Sequence, residues 1–230
     1  CIDRHSYYLM TKGRAETASE TRELVEKQLI DLRTDYFDFY AWHGINNEEQ
    51  LHTALKPDGS VDELLKMRDE GIIKHVGFST HAPLHIILAA IESNKFEFVN
   101  LHYYYFFQRN LAAIELAQAK DMGVFIISPN DKGGKLFSPP KKLKSLTSPL
   151  LPMQWNAKFC LSNPAVHTIS VGMTNKPYFD DMMGSFPLSV PLNKQEREIY
   201  VKMEEQKLSD PFAFYTEYDL QFDPSGINIP

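Results

Sequence analysis

The sequence predicts an α/β fold, a (β/α)8 TIM barrel lacking its first strands and followed by a C-terminal extension. Three observations carry this. Short β-rich apolar runs alternate with longer amphipathic stretches, the pattern of βαβ units. The connections between them are short, as crossover helices on a parallel sheet require. No Gly-x-Gly-x-x-Gly follows any strand, which removes the fingerprint of an open dinucleotide-binding sheet and favours the closed one. Six such units precede Pro187, whereas a barrel carries eight strands in about 250 residues. Two strands are therefore expected ahead of Cys1, where the chain opens without Met on an apolar segment. The expected division is a partial barrel over 1–186 and a C-terminal helix with extension over 187–230.

The elements follow in order. Residues 6–11 read as a buried strand. Thr17-Ala18-Ser19-Glu20 is a capping box that satisfies free amides at a helix start, and Leu24, Val25, Leu29 and Leu32 form that helix's inner face. Residues 36–42 are the second strand, followed by a polar loop. Ser60-Val61-Asp62-Glu63 then caps a helix that closes near Gly71. Strand three covers 74–78, helix three 83–93, strand four 96–103, helix four 110–121 and strand five 124–128. Ser138-Pro139-Pro140-Lys141-Lys142 reads as a surface loop, because proline denies it regular hydrogen bonding. A helix around 153–161, a sixth strand over 166–171 and a short helix over 177–183 complete the units. Asn193-Lys194-Gln195-Glu196 caps one more helix, and 210–230, aromatic and without period, is expected to lie across the main body.

Composition removes several function classes. With 24 Lys plus Arg against 30 Asp plus Glu, a net charge of −6 and no basic block, the chain lacks what holds a phosphate backbone, so nucleic acid is not an expected partner. No run approaches the roughly 20 apolar residues that span a bilayer, so no membrane partner is expected. Two cysteines, Cys1 and Cys160, suit a reducing compartment, and the expected location is cytoplasmic. The eight histidines form no His-Glu-x-x-His spacing, and no metal site is assigned. No Gly-x-Ser-x-Gly elbow is present, and Cys160 sits in an apolar helical segment, so hydrolase chemistry has no nucleophile.

In a βα barrel the working face forms where strands end and loops begin. The polar residues there are Lys12, His43, Ser79-Thr80-His81, Asn100 with His102, Ser128-Pro129-Asn130 and Gly172-Met173-Thr174-Asn175-Lys176. Lys12 and His43, each unremarkable alone, end consecutive strands, whose tips lie within about a nanometre in a barrel. Gly172 to Lys176 fits a phosphate loop, and fits equally a capped helix start with Pro177 in its first turn. Asp131-Lys132-Gly133-Gly134-Lys135 is a flexible basic loop able to fold over a pyrophosphate, though its order is not that of a P-loop.

Tyr8-Leu9-Met10-Thr11-Lys12, Leu32-Arg33-Thr34-Asp35-Tyr36-Phe37-Asp38-Phe39-Tyr40-Ala41-Trp42-His43 and Ile73-Lys74-His75-Val76-Gly77-Phe78-Ser79 resemble, in order and spacing, the aldo-keto reductases. Met122 to Pro129 and on through Gly133-Gly134-Lys135-Leu136 is similar to that family's seventh strand and loop. The resemblance covers 7–183. It implies a barrel that binds NADPH without a Rossmann motif and passes hydride to the carbonyl carbon of a small aldehyde or ketone. Under it Lys12 looks like the lysine that lowers the pKa of a catalytic tyrosine, and His43 like the histidine that orients the carbonyl. The family's tyrosine and aspartate lie before the lysine strand, a region absent here. Ser79 and Asn100 would take the carboxamide, and Ser128, Pro129 and Lys132 the pyrophosphate loop. Gly172, Thr174, Asn175, Lys176 and Asp181 would take the adenosine phosphate end. The chain departs from the family in Asn100 for glutamine, Ile127 for a stacking aromatic, Thr80 after Ser79 for asparagine, and Lys176 in place of an arginine. These departures leave a second expectation from another class, a catalytically silent barrel that senses nucleotide or scaffolds a partner.

Overall fold

The computed structural model describes residues 2–131 and 133–209. By its contacts the chain divides into two compact units, Cys1–Leu101 with Ala112–Val124, and His102–Leu111 with Phe125–Pro230.

In the first unit a 3-10 turn at Arg4–Ser6, opened by Asp3 accepting from the His5 N–H, takes up part of the segment expected as a strand. The strand β1 is therefore later and shorter, Met10–Gly13. Arg4 ties down its approach, donating to Thr34, to the Tyr36 carbonyl and, at 2.8 Å, to Asp38. The helix α1 (Ala18–Leu32) starts on the expected capping box of Thr17 and Glu20. Val25 is buried, but Leu32 is 50% exposed at the helix's end and forms no inner face.

Strand β2 (Phe37–His43) runs as read. The polar stretch after it is not a loop throughout: Asn47 accepts from the Gln50 N–H and opens α2 (Glu48–Leu55). With only Leu51 and Ala54 buried, its apolar stripe is too narrow to stand out in sequence. In α3 (Ser60–Asp69) Gly59 holds the cap position and no side chain caps it. Ser60 is diverted, because its buried hydroxyl accepts a 2.8 Å bond from the Trp42 indole N–H. Next come β3 (Ile73–Ser79), α4 (Leu84–Glu92), β4 (Phe98–Leu101) and α5 (Leu111–Ala119). Strand four is shorter at both ends than the expected 96–103.

These four strands pair in parallel in the order of the sequence. One face meets helices: Tyr40 donates to Gln28 of α1 and Trp42 to Ser60 of α3. On the other face Gly77 is required by close approach, since a Cβ there would lie 2.5 Å from both the Phe98 ring and its carbonyl oxygen.

In the second unit the last three residues of β5 (Gly123–Ile127) pair in parallel with β6 (Thr168–Ser170). The expected loop around Pro139 and Pro140 turns into α6 (Lys141–Thr147), for Pro140 stands at its cap, where a missing N–H costs no helical bond. Helices α7 (Pro152–Leu161), α8 (Lys176–Met183) and α9 (Lys194–Leu208) follow, the last on the expected box of Asn193 and Glu196. Trp155, Phe159 and Tyr105 pack together with ring centroids 4.9 to 6.0 Å apart. Beside them Lys158 and Glu196 form a buried ion pair at 3.0 Å, joining α7 to α9. The expected extension over 210–230 lies outside the described residues. Among the described residues no helix is long and apolar enough to cross a membrane.

Candidate active site

Strand register assembles the first group of candidates. Lys12 pairs with Ala41, and Ala41 with Gly77. Two positions further along, His43 pairs with Ser79, and Ser79 with Asn100. Side chains alternate along a strand, so Ala41 and His43 share a face, and registered partners share it with them. Lys12, His43, Ser79 and Asn100 thus stand on one side of the sheet at the C-terminal ends of β1 to β4. A strand spacing of about 4.8 Å and a two-residue rise of about 6.6 Å separate the Cα atoms of Lys12 and His43 by about 8 Å. Lys12, expected to end the first strand, is the next-to-last residue of β1.

The electrostatics agree with this placement. Burial first, and then the positive charges of Lys12 and Arg14, hold the His43 imidazole below its ordinary pKa. It is therefore a neutral ring near pH 7, able to donate one N–H and accept at the other nitrogen. Arg14 is a residue that the sequence reading passed over, although it stands two positions after Lys12. Its guanidinium lies 5.4 Å from the centroid of the Trp42 ring. Among the described residues no carboxylate pairs with Lys12 or Arg14.

Ser79 and Asn100 are almost fully buried. The Ser79 hydroxyl accepts a 3.1 Å bond from the Gly44 N–H, in a turn where Gly44 has φ of 86°. That leaves the hydroxyl proton to donate. The neighbouring Thr80 is spent internally, donating to the Ile45 carbonyl at 2.6 Å. Among the described residues the Asn100 side chain makes a long contact from Nδ2 to the Met10 sulfur, 3.7 Å, and its buried Oδ1 has no hydrogen-bond partner. An orphaned buried acceptor costs about 1–3 kcal/mol, so its persistence is an observation to be accounted for. It suits a ligand amide N–H, and on this ground the residues present fit a nicotinamide carboxamide.

The remaining candidates belong to the second unit. Ser128 is left-handed, with φ of 51°, and exposed, while the buried Pro129 has its carbonyl held by the Asn156 amide. Asn156 also accepts from the Tyr105 N–H at 3.0 Å, which fixes the loop after β5. In that loop Asn130 is 4% exposed, and neither its Oδ1 nor its Nδ2 finds a partner among the described residues. The sequence names Asn130 only as a rim position; nothing local reveals that its amide is buried. Lys132 lies outside the described residues, and Gly133 and Gly134 take φ of 76° and 72°.

At the second loop, a Cβ on Gly172 would meet nothing within 4 Å, so the backbone there faces open space. Asn175 caps α8 by accepting from the Tyr178 N–H, so this segment is a capped helix start. Thr174 is exposed. Lys176 reaches both carboxylate oxygens of Asp180, at 2.8 and 2.6 Å. Asp181 is exposed and its carbonyl accepts from Gln154 at 2.7 Å. Cys160 is fully buried, its thiol pKa pushed up by burial, and it donates weakly to the Tyr103 carbonyl. Among the described residues no group of three His, Cys, Asp or Glu could hold a metal ion.

The sequence profile of the Aldo/keto reductase family matches residues 3–138, more than half of the chain. The chain belongs to the aldo/keto reductase family. A curated relative, the uncharacterized oxidoreductase YqkF of Bacillus subtilis (strain 168), is 25% identical over 142 residues, 56% of this chain and 44% of its own. The chain thus spans less than half the length of the curated relative it matches. Solved aldo-keto reductases share its fold. AKR11C1 from Bacillus halodurans in its holo form superposes with a TM-score of 0.71 at 20% identity, over 86% of this chain and 73% of its own. MGS-M4, an aldo-keto reductase from a Medee basin deep-sea metagenome, gives a TM-score of 0.67 at 17% identity, over 87% and 72%. For an aldo/keto reductase, the profile match includes the strands that carry Lys12, His43, Ser79 and Asn100 and ends before Gly172.

Proposed function

We propose that this aldo/keto reductase is an NADPH-dependent oxidoreductase that reduces aldehyde or ketone carbonyls by hydride transfer, with residues 1–186 as part of a (β/α)8 barrel and 187–230 as its C-terminal helix and extension. The observation that carries this reading is the shared face of Lys12 and His43, in register with the orphaned acceptor of Asn100. A bound nicotinamide would supply the hydride. The protein's part is to hold the carbonyl and stabilise the negative charge that grows on its oxygen.

His43, neutral near pH 7, donates its N–H to that oxygen, and the Lys12 ammonium stabilises the developing alkoxide through space. Asn100 Oδ1 would accept from the cofactor's carboxamide, and the Ser79 hydroxyl would donate to it. Ser128, Pro129 and Lys132 would attend the pyrophosphate, and Gly172, Thr174, Asn175, Lys176 and Asp181 the adenosine end. Lys176 is the candidate for the 2′-phosphate, which is the ground for preferring NADPH to NADH. The proton-delivering tyrosine and its aspartate are assigned to no residue of this chain, since Tyr7 and Tyr8 stand just before β1. A cytoplasmic location suits two cysteines kept reduced.

Titrating NADPH into the protein while following its fluorescence tests the reading. Saturable quenching, weakened by Asn100→Leu, is the expected result; no binding at millimolar cofactor would overturn it.

A further inference from the structure

We infer that the buried side-chain amide of Asn130 binds the vicinal diol of the cofactor's nicotinamide ribose, and so recognises sugar where the residues around it serve phosphate. The inference rests on the reductase reading above for the identity of the cofactor, and adds to it a residue to which that reading gives no role.

Asn130 stands just past the C-terminal end of β5, where the loops of a βα fold build their sites. Three asparagines of the second unit are buried, and they differ in how far they are satisfied. Asn156 uses both of its amide atoms, donating to the Pro129 carbonyl and accepting from the Tyr105 N–H. Asn110 donates to the His102 carbonyl and keeps one orphaned oxygen. Asn130, 4% exposed, has neither atom satisfied among the described residues. The chain around it is tied down, so a small shift does not relieve the cost. The Pro129 carbonyl is held by Asn156, the Asn130 carbonyl accepts from the Leu136 N–H at 3.1 Å, and Asp131 accepts from the Tyr104 hydroxyl at 3.1 Å. Ser128 and Asp131, close on either side, are left-handed with φ of 51° and 62°, conformations that non-glycine residues keep only where their surroundings impose them. Two orphaned polar atoms and two strained residues thus fall within four positions, a concentration that marks ligand sites.

The unsatisfied atoms define the ligand. Nδ2 donates and Oδ1 accepts, so the group that answers both must accept and donate at neighbouring points. A phosphate oxygen only accepts, and it would set negative charge against Oδ1. Adjacent hydroxyls offer one oxygen to Nδ2 and one proton to Oδ1. In NADPH the adenosine ribose carries a phosphate at its 2′ oxygen, which leaves the nicotinamide ribose as the sugar with an intact diol. Of the cofactor's other groups that both give and take, the carboxamide is assigned above to Asn100 and Ser79, and the adenosine end to the loop after β6.

Two cofactor fragments test the assignment, 2′-phospho-ADP-ribose, which carries that ribose, and 2′-phospho-ADP, which ends at the pyrophosphate. Each is titrated calorimetrically into the wild type and into Asn130→Leu. The substitution is expected to weaken the ribose-bearing fragment about tenfold, the scale of one lost buried hydrogen bond, and to leave 2′-phospho-ADP unchanged. An equal loss for both fragments, or a loss for neither, overturns the inference while the reductase reading stands. A second measurement uses the wild type alone, so it does not depend on how the variant folds. The Asn130 side-chain amide protons, assigned by triple-resonance NMR, should shift saturably with 2′-phospho-ADP-ribose and stay in place with 2′-phospho-ADP. The same shift with both fragments would make Asn130 a phosphate ligand, and no shift with either bound fragment would make its amide structural; both results overturn the inference. A wild type that binds neither fragment nor NADPH overturns the reductase reading, and this inference with it.

Discussion

Lys12 and His43 stand on the same face of adjoining strands, the lysine in register with Ala41 two positions before the histidine; burial first, and then the charges of Lys12 and Arg14, hold the His43 imidazole below its ordinary pKa. This places a cation and a neutral hydrogen-bond donor side by side without a salt bridge between them. Replacing Lys12 by Met removes one of the two charges, so the His43 midpoint should move upward, toward the ordinary histidine value. It should stop short of it, because burial, the larger cause, remains along with Arg14. Histidine-resolved NMR titration reads this directly, and an unmoved midpoint would place the two side chains out of range of each other.

The same substitution tests the chemistry. If Lys12 stabilises the charge that develops on the carbonyl oxygen, Lys12→Met should lower turnover of a reactive aldehyde by about 100-fold or more, the scale of a lost electrostatic group. Thermal stability should hardly change, since Lys12 is exposed and unpaired among the described residues. Unaltered turnover would reject the role.

Asn100 separates binding from stability. Its Oδ1 is buried without a partner, so Asn100→Leu, close in volume, removes an unsatisfied acceptor and should leave the melting temperature equal or higher. Cofactor affinity should fall at the same time, by about tenfold for one lost buried hydrogen bond. Calorimetry and fluorescence titration on the same preparation check both; a clear loss of stability would mean the amide is structural.

The Lys158–Glu196 pair is buried at both ends, with side chains 7% and 2% exposed, and Glu196 also accepts from the Asn193 N–H in the capping box. Removing one partner leaves an uncompensated buried charge, so Glu196→Ala should cost about 3 kcal/mol or more. Lys176 and Asp180, exposed and one helical turn apart, offer the contrast within the same unit. Asp180→Asn should cost about 0.5 kcal/mol or less. Urea unfolding monitored at Trp155, with Trp42 replaced by Phe, gives both values.

Acid should loosen the start of β1. Asp38 is partly buried, which raises its pKa, but the Leu9 N–H and the bond and charge of Arg4 more than offset this and hold it below the usual carboxylate value. A depressed folded-state pKa contributes stability that is complete above the unfolded value, about 4, and is lost as pH falls through the folded one. Asp38→Asn should therefore lower stability at pH 7 and flatten its decline below pH 4, a difference that hydrogen exchange at the β1 amides would resolve.

How much of this was legible beforehand depends on the range over which each feature is decided. Thr17 with Glu20 and Asn193 with Glu196 cap the helices expected of them, because a capping box is closed within four residues. The apolar alternation located six strands, and the chain's likeness to aldo-keto reductases rested on residues that the family profile also spans. Ser60 reads equally well as a cap, yet its hydroxyl is claimed by Trp42, eighteen residues away. The helix α2 escaped notice because two buried residues make no period.

Periodicity and local caps alone, then, established the order of the six strands and the capped starts of α1 and α9, while the sequence's resemblance to a family pointed to Lys12 and His43 as residues to watch. Only the tertiary structure decided that those two share a face, that Asn100 keeps an acceptor unsatisfied among the described residues, that Arg14 rests on an indole, and that Glu196 meets Lys158 in the interior. The physical reason is that a polar atom's partner is chosen by whatever distant segment packs against it. No local pattern encodes that choice, and it is in such choices that the chemistry of the site resides.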